Sequence, residues 1–316
     1  MTADAQGYMA NYYNPAGLAK AQKGRWEVTP VDLEGTLGTA AIGAVYNAKS
    51  FGGYQLSNSL AAHPGTYAFY NFTALPGIST RGFGLSLLYS STYAGTSDGN
   101  NVTMHAGETI GPSIGTAVNL AGNLLKVGFD VKALVRNEAD GTFSVAQVNS
   151  PSGFNQVSRE GIGVGADVGV MATLPYKWLP TLGISYLDIG DTTFHASHLI
   201  NPASPGAPDA IPQSVNAAFS VHPYLSHTWH ATFSVEVTNL ELPNLPLQKR
   251  SHFGMQFLNN SNFYVWAGLN QLYPTGGLGL RVKGGTFELG TYAEDIGIGN
   301  QLDADRRFFF RYTIGF

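Results

Sequence analysis

The sequence contains no cysteine, so neither disulfide bonds nor thiol chemistry can contribute to its fold or function. Charged residues make up only 12% of the 316 residues, and the net charge of -4 with no long basic run argues against a nucleic-acid partner. No segment approaches the roughly 20 consecutive apolar residues that a membrane helix requires. No N-terminal apolar segment resembles a signal peptide, so if the protein is exported we expect this to be its mature chain.

Glycine and aromatic residues are abundant instead, with 39 Gly, 16 Tyr and 18 Phe. Few charges without long apolar runs indicate that apolar residues are interleaved with small polar ones. The chain shows this alternation with a period of two, which is the pattern of a β-strand whose successive side chains point to opposite faces. It is clearest at the end of the chain, where one face carries Phe308, Phe310, Tyr312, Ile314 and Phe316.

Two all-β architectures produce such alternation. A soluble sandwich or barrel turns its apolar face inward, whereas a membrane barrel turns it outward to lipid and keeps a polar lumen. The polar faces of the segments 125–136 and 161–170 carry mostly small residues rather than many Lys and Glu. Small side chains suit a crowded lumen, so the sequence favours a transmembrane antiparallel β-barrel, with a soluble all-β protein as the alternative.

The alternating segments number about fourteen, and short and long connections take turns between them. Short turns on one side and longer loops on the other are typical of bacterial outer-membrane barrels. We therefore predict one domain, residues 1–316, with long loops that include 93–108, 137–160 and 191–212. The predicted strands begin near residues 25, 66, 82, 112, 124, 161, 180, 213, 228, 250, 262, 275, 285 and 306.

Residues 1–23 precede the first predicted strand and do not alternate. Asn14 can cap a short helix that has Pro15 at its first position, where the missing N–H costs nothing. Tyr8, Tyr12, Tyr13 and Leu18 make the segment too apolar for a tail that stays in water. We predict that it folds into the lumen as a plug, or hatch, and that residues 24–316 form the barrel.

The stretch "YYNPAGLAK" resembles the N-terminal signature of the FadL/TodX superfamily of outer-membrane transporters, and "AIPQSVNAAFSV" is similar to a strand that follows a long loop in that superfamily. The resemblance implies a fourteen-stranded barrel with a hatch and passive uptake of hydrophobic small molecules such as long-chain fatty acids. It places the hatch signature on Tyr12, Tyr13, Asn14, Pro15, Gly17 and Leu18.

The C-terminal third is similar to a sister branch that includes the PorV/PorQ-like proteins of type IX secretion and a conjugation-associated outer-membrane family. That likeness implies an alternative function, in which the barrel does not transport but serves as a scaffold or accessory subunit of a secretion or surface complex.

Charged residues on the polar faces are expected in the lumen. They either form a selective polar path or fasten the hatch to the wall through ion pairs and hydrogen bonds, and we favour the fastening role. The set comprises Lys126, Asp130, Lys132, Arg136, Asp167, Glu236, Arg281, Glu288, Arg307 and Arg311.

Candidate ligand-binding residues fall in two places. The segment "TYAFYNFTALPG" has aromatic residues on both faces, among them Phe69 and Phe72, which predicts either a ligand surface or an aromatic girdle with hatch packing. In the long loops, apolar residues that include Phe154, Leu199 and Ile200 need a partner, which is each other, a ligand or a protein.

No enzyme signature and no cofactor motif are present in the sequence. The expected partners are outer-membrane lipid, a hydrophobic small molecule or fatty acid, and a protein partner through the extracellular loops as the alternative. Pro30 and the pair Gly111–Pro112 are candidate sites for a kink in the wall, because proline removes a donor from the strand ladder.

Overall fold

The computed structural model describes residues 2–22, 24–42, 52–260, 262–297 and 303–316. These form one antiparallel sheet of seventeen segments that closes on itself. Among the described residues, no helix is long and apolar enough to cross a membrane. The strands are β1 (Glu27–Thr29), β2 (Val31–Gly38), β3 (Tyr67–Ala74), β4 (Gly77–Thr80), β5 (Phe83–Ser97), β6 (Asn101–Leu120), β7 (Leu125–Ser144), β8 (Arg159–Thr173), β9 (Thr181–Leu187), β10 (Phe194–Ala196), β11 (Ser214–Val221), β12 (Trp229–Val237), β13 (Ser251–Asn259), β14 (Phe263–Asn270), β15 (Tyr273–Val282), β16 (Gly285–Asp295) and β17 (Ala304–Ile314).

Helices are few and short. The α-helices are α1 (Ala10–Tyr13), α2 (Gly53–Ala61), α3 (Val145–Val148), α4 (Pro151–Val157) and α5 (Leu247–Arg250), and short 3-10 helices include Gly7–Met9, Pro15–Lys20 and Thr39–Ala41.

The seventeen segments build a wall of 14 strands, because three wall strands are interrupted. Segments β1 and β2 are the two halves of the first strand, β3 and β4 form the second, and β9 and β10 both pair with β8. The last strand closes the barrel by pairing with β2 from Arg307 opposite Gly38 to Ile314 opposite Val31. The predicted closed antiparallel barrel of about fourteen strands is confirmed.

The predicted strand starts agree with the observed ones within two residues, with one exception. The fourth strand was expected near residue 112, after a loop over 93–108, but β6 begins at Asn101 and β5 runs to Ser97. The predicted loop is wrong because only residues 98–100 separate the two strands. Asp98 closes this turn by accepting hydrogen bonds from the backbone N–H groups of Asn100 and Asn101.

The outer face of the barrel is apolar, as the alternation predicts. On β17, Phe308 is 52% exposed and Phe310 is 40% exposed. Arg307, the residue before Phe308, is 4% exposed and points inward. The exposed apolar residues continue around the wall, and a contiguous surface of this size requires a nonaqueous neighbour. They include Leu85, Leu87, Ile110, Ile114, Val118, Phe129, Ile162, Val164, Leu182, Ile184, Phe219, Val235, Leu269, Leu278, Leu280 and Leu289.

Replacing Phe310 by Arg should cost roughly 2–4 kcal/mol of folding free energy, because a cation on the lipid face near mid-bilayer loses its hydration. Arg in place of Thr313 should cost less, since Thr313 lies on the lumen face within 3.2 Å of the Asp32 carboxylate. Folding titrations into lipid vesicles measure both values. Equal losses at the two positions would show that the assigned facing is wrong.

Strands β5 to β7 extend beyond the membrane. Strand β6 has 20 residues. This is roughly twice the 9–11 residues that a tilted strand needs to cross the bilayer. The outward face changes along it: Ile110 and Ile114 are exposed, whereas Val102 and Met104 of the same face are buried. Helices α2, α3 and α4 cover this projecting part.

Both expected kink sites interrupt strand pairing. Pro30 separates β1 from β2, and opposite it Leu75 and Pro76 separate β3 from β4, so both strands break at one height. At Gly111 and Pro112 the pairing of β6 with β7 is interrupted between Ile110 and Ser113, while pairing with β5 continues. In both places the proline lacks the N–H that a continuous ladder would use.

Candidate functional site

The N-terminal segment 2–22 lies inside the barrel on a surface made of glycine. Five lumen-facing glycines contribute, one each from β5, β6, β7, β8 and β9, and a Cβ at any of them would fall 1.9 to 2.6 Å from a backbone or side-chain atom of this segment. The absence of side chains there allows the segment to approach the wall backbone. These residues are Gly84, Gly115, Gly128, Gly169 and Gly183, and they face chiefly Thr2, Asn11, Asn14, Pro15 and Leu18.

Two buried asparagines bind the segment to this surface. The Asn11 side-chain amide donates to Ser86 Oγ at 3.3 Å, and the Asn14 amide donates to the carbonyls of Thr2 at 2.9 Å and Ile184 at 3.2 Å. Asn14 Oδ1 accepts from the backbone N–H of Ala16, which caps the 3-10 helix that begins at Pro15, as its sequence predicted. The segment is thus held by directional bonds as well as by contact.

The other predicted hatch residues differ in burial. Pro15 and Gly17 are buried, Leu18 is 0% exposed, and Tyr12 is partly buried, whereas Tyr13 is 37% exposed. Gly17 has no space for a side chain, since a Cβ there would lie 2.3 Å from Ala5 O. Residues 1 and 23, the ends of the predicted hatch, lie outside the described residues.

Two hydrogen bonds to carboxylates tie the segment to strands on either side of the glycine surface, β2 and β12. Tyr8 donates from its hydroxyl to Asp32 Oδ2 at 2.7 Å, and Asp32 also receives two hydrogen bonds from the Arg311 guanidinium at 2.7 and 2.8 Å. Thr2 donates from its hydroxyl to Glu236 at 2.5 Å. Tyr8 was predicted to lie inside the barrel, but Asp32 was not singled out from the sequence, because it is separated from Arg311 by almost the whole chain.

The remaining charged residues predicted in the lumen form separate clusters rather than one network. Lys132 Nζ lies 3.1 Å from Asp167 and 3.0 Å from Asp188, and Asp130 accepts from Ser113 Oγ at 2.5 Å. Nearer the projecting end, Arg136 pairs with Glu138 and lies 5.9 Å from the centre of the Phe194 ring.

Arg307 is enclosed by aromatic and acidic groups. Its guanidinium carbon is 3.4 Å from the Phe69 ring centre and 5.9 Å from that of Tyr292. It donates to Asp305 at 2.7 Å and also pairs with Glu294. Phe69 therefore faces the lumen, where it stacks on a cation.

A cavity of about 1030 Å³ occupies the half of the lumen that the segment 2–22 leaves unfilled. Residues of β12 to β17 line it on one side and residues of the segment on the other. Within it, the Trp266 and Phe309 rings stack with their centres 5.5 Å apart, and Gly277 and Gly290 leave room for the Trp266 ring. Glu288 and Arg311 lie on the same wall, and Arg281 lies 5.5 Å from the Tyr264 ring centre.

Solved structures similar to this barrel include two that are named as monoaromatic hydrocarbon channels. "CymD monoaromatic hydrocarbon channel" aligns over 100% of this chain and 94% of its own with a TM-score of 0.59 at 14% identity. "TodX monoaromatic hydrocarbon channel deltaS2 mutant" aligns over 99% of this chain and 94% of its own with a TM-score of 0.53 at 13% identity. A FadL homologue from Pseudomonas aeruginosa aligns over 98% of this chain and 94% of its own with a TM-score of 0.50 at 12% identity. No family model and no curated protein matches the sequence.

The chain has the FadL-type outer-membrane channel fold. The likeness spans nearly the whole barrel, so the predicted fold and location in the outer membrane are confirmed. In bacterial outer-membrane barrels the short turns face the periplasm. The end that carries the turns 81–82, 121–124 and 283–284 is therefore periplasmic, and the projecting β5–β7 hairpins are extracellular.

The FadL-type barrel does not bring the five predicted ligand residues into one site. Phe69 stacks on Arg307, whereas Phe72 is 37% exposed on the outer face. Phe154 packs beside Gly53 in the extracellular cluster that α2, α3 and α4 form on the projecting strands. Leu199 and Ile200 are 69% and 55% exposed.

The exposed pair Leu199–Ile200 is held in a fixed position by Glu160, which is 0% exposed. The Glu160 carboxylate accepts from Ser197 Oγ at 2.6 Å and from the backbone N–H groups of Leu199 at 2.6 Å and Ile200 at 2.9 Å. These donors satisfy the buried carboxylate without a cation.

Among the described residues, one group of three possible metal ligands was found, on the lumen side of the projecting strands. His105 Nδ1 lies 3.5 Å from Glu138 and 3.7 Å from Asp140. Glu138 already pairs with Arg136 and accepts from the Asp209 N–H, so its oxygens are engaged within the protein.

Proposed function

We propose that this FadL-type barrel mediates passive uptake of hydrophobic small molecules across the outer membrane. The observation that carries the proposal is the aromatic pair Trp266–Phe309, which places an apolar surface inside a cavity whose lining also includes polar and charged side chains. Small-molecule sites combine an apolar lining with a few polar groups in this way. The named functions of the similar channels support the same class of permeant.

The finer specificity is also a proposal. Long-chain fatty acids and monoaromatic hydrocarbons both suit an apolar surface of this kind, and the second class is the one that the similar CymD and TodX structures are named for. Of the three predicted loop residues, Leu199 and Ile200 stay exposed on the extracellular side, where a permeant would first contact the protein.

The segment 2–22 is proposed to act as the hatch. Its ties to Glu236 and Asp32 and its seat on the glycine surface hold it in half of the lumen. The cavity on the other side leaves space for a ligand to lie beside it. A permeant would reach the periplasm when the segment shifts within the barrel.

Replacing Phe309 by Ser should weaken binding of a fluorescent fatty acid by about ten- to a hundredfold, because one buried aromatic side chain contributes roughly 1.5–3 kcal/mol. Toluene and oleate should both displace the probe from the unaltered protein. The matched control is Phe308→Ser, which removes the same group from the lipid-facing side of the same strand. Fluorescence titration of the purified, heat-modifiable barrel measures probe binding by the unaltered protein and by both variants.

Equal binding by the two variants would place the ligand elsewhere and remove the main support for the proposal. The rival function, a scaffold for a surface complex, has one favourable observation, which is the ordered helical layer of α2 to α4 on the extracellular strands. If no hydrophobic probe binds and a stoichiometric protein co-purifies through that layer, the scaffold function replaces transport.

A further inference from the structure

Three cationic side chains from separate elements meet at the periplasmic mouth of the lumen. Lys20 ends the 3-10 helix of the segment 2–22, Arg81 lies in the turn between β4 and β5, and Lys126 is near the start of β7. All three line the cavity of about 1030 Å³. Arg81 and Lys126 converge on a single turn residue, Asn123, which offers them its side-chain and backbone oxygens.

The hydrogen-bond partners of these three cations are all neutral. Lys126 Nζ donates to Asn123 O at 3.0 Å and lies 3.4 Å from Thr173 Oγ1. Arg81 donates to Asn123 Oδ1 at 2.8 Å, and Lys20 donates to Ala3 O at 2.7 Å. Within the described parts of the chain, none of the three lies within ion-pair distance of a carboxylate.

Four other cations of the lumen wall differ in this respect. Lys132, Arg136, Arg307 and Arg311 each contact at least one carboxylate. Arg281 also lines the cavity, two residues before the turn 283–284, and within the described residues it likewise has no carboxylate partner, so the cations of the cavity that lack an ionic partner lie toward this mouth. The local exception calls for a separate explanation.

Burial makes the missing countercharge costly. Lys126 is 7% exposed, and an ammonium group that leaves water without an ionic partner loses more free energy than neutral hydrogen bonds return. Three carboxylates line the cavity, of which Glu34 and Glu288 lie beside Arg311. Asp4 is the one whose charge acts on Lys20, and its carboxylate lies 3.3 Å from the His222 ring. One carboxylate does not balance three cations.

We infer that Lys20, Arg81 and Lys126 form a binding site for an oxyanion, a carboxylate or a phosphate, at the periplasmic mouth of the barrel. A guanidinium offers two parallel donors to such a group, and the two ammonium groups add point charges. The oxyanion is either free in the periplasm or the head group of an amphiphile lying in the cavity. Only the second source rests on the proposed transport function.

Native mass spectrometry of the detergent-purified full chain tests the site with three probes: inorganic phosphate, dodecyl phosphate and dodecanol. The test variant combines Lys20→Gln, Arg81→Gln and Lys126→Met. The matched control combines Arg25→Gln, Lys177→Gln and Lys283→Gln, which removes the same charge from exposed positions outside the cavity. Because the test variant removes a buried charge without an ionic partner, its thermal unfolding midpoint should not fall below that of the control.

The unaltered protein and the control should bind dodecyl phosphate at least about tenfold more tightly than dodecanol, and the test variant should lose that preference. If the unaltered protein binds inorganic phosphate stoichiometrically and the test variant does not, the bound oxyanion is a free anion from the periplasm. Binding of dodecyl phosphate alone would identify a head group. A preference that survives in the test variant, or is absent from the unaltered protein, overturns the site. Failure of dodecanol and of every other hydrophobic probe would instead count against the proposed transport function.

Discussion

Deletion of residues 2–22 should raise the single-channel conductance in planar bilayers by roughly tenfold or more, because a barrel of about fourteen strands has a lumen wide enough for water once nothing fills it. In the intact protein this segment occupies the side of the lumen formed by β4 to β9. The remaining cavity on the other side is bounded by charged side chains and by the Trp266–Phe309 pair.

A point substitution tests the same idea without shortening the chain. Gly128 faces the segment so closely that a Cβ there would lie 2.2 Å from the carbonyl carbon of Pro15. Gly128→Leu should therefore displace the segment and raise conductance. Gly35→Leu is the control, because the space next to Gly35 on the outer side of β2 is open. A closed baseline in both the deletion and Gly128→Leu would mean that residues 2–22 are not what limits conduction.

Replacement of Arg311 by Met should lower the free energy of unfolding by about 3–5 kcal/mol, because it leaves the Asp32 carboxylate buried and without its cation. Asp32 is 3% exposed and receives both of its close ionic hydrogen bonds from Arg311. The contact joins the last strand to the first, so its loss acts at the seam that closes the barrel.

The control is Arg306→Met, which removes a cation whose side-chain hydrogen bond within the described residues is to the Pro274 carbonyl at 2.7 Å, and it should cost about 0.5 kcal/mol or less. Adding Asp32→Asn to Arg311→Met should recover part of the loss, since a neutral amide is cheaper to bury than an unpaired carboxylate. Urea unfolding in lipid vesicles, followed by tryptophan fluorescence, measures all the variants. Similar losses for Arg306→Met and Arg311→Met would show that the Asp32 contact does not stabilise the seam.

The alternation of side chains was sufficient to predict the wall. A strand that faces lipid on one side and a lumen on the other must alternate, and the sequence marks almost every strand start within two residues. The error at β6 has a physical cause. Residues 93–108 lie above the membrane, where the outer face meets helices rather than lipid, so small and polar residues replace the large apolar ones on which the prediction relied.

Contacts in the lumen follow from strand register and curvature, which the alternation does not contain. The periodicity assigns Arg311 to the lumen face, but its partner Asp32 is 279 residues away and meets it only because the last strand closes on the first. Phe309 shares the polar face with Arg307 and Arg311, and nothing local marks it as the ring that stacks on Trp266.

The sequence by itself determined that the chain forms a closed barrel with an apolar outside, because lipid on one face imposes a period of two that can be read one strand at a time. It also determined the cap that starts the helix at Pro15, which depends on neighbouring residues only. The tertiary structure alone decided which half of the lumen is filled, which cations have carboxylate partners and where the aromatic pair lies. Those features depend on atoms brought together from strands far apart in the chain, and their positions are fixed only when the barrel closes.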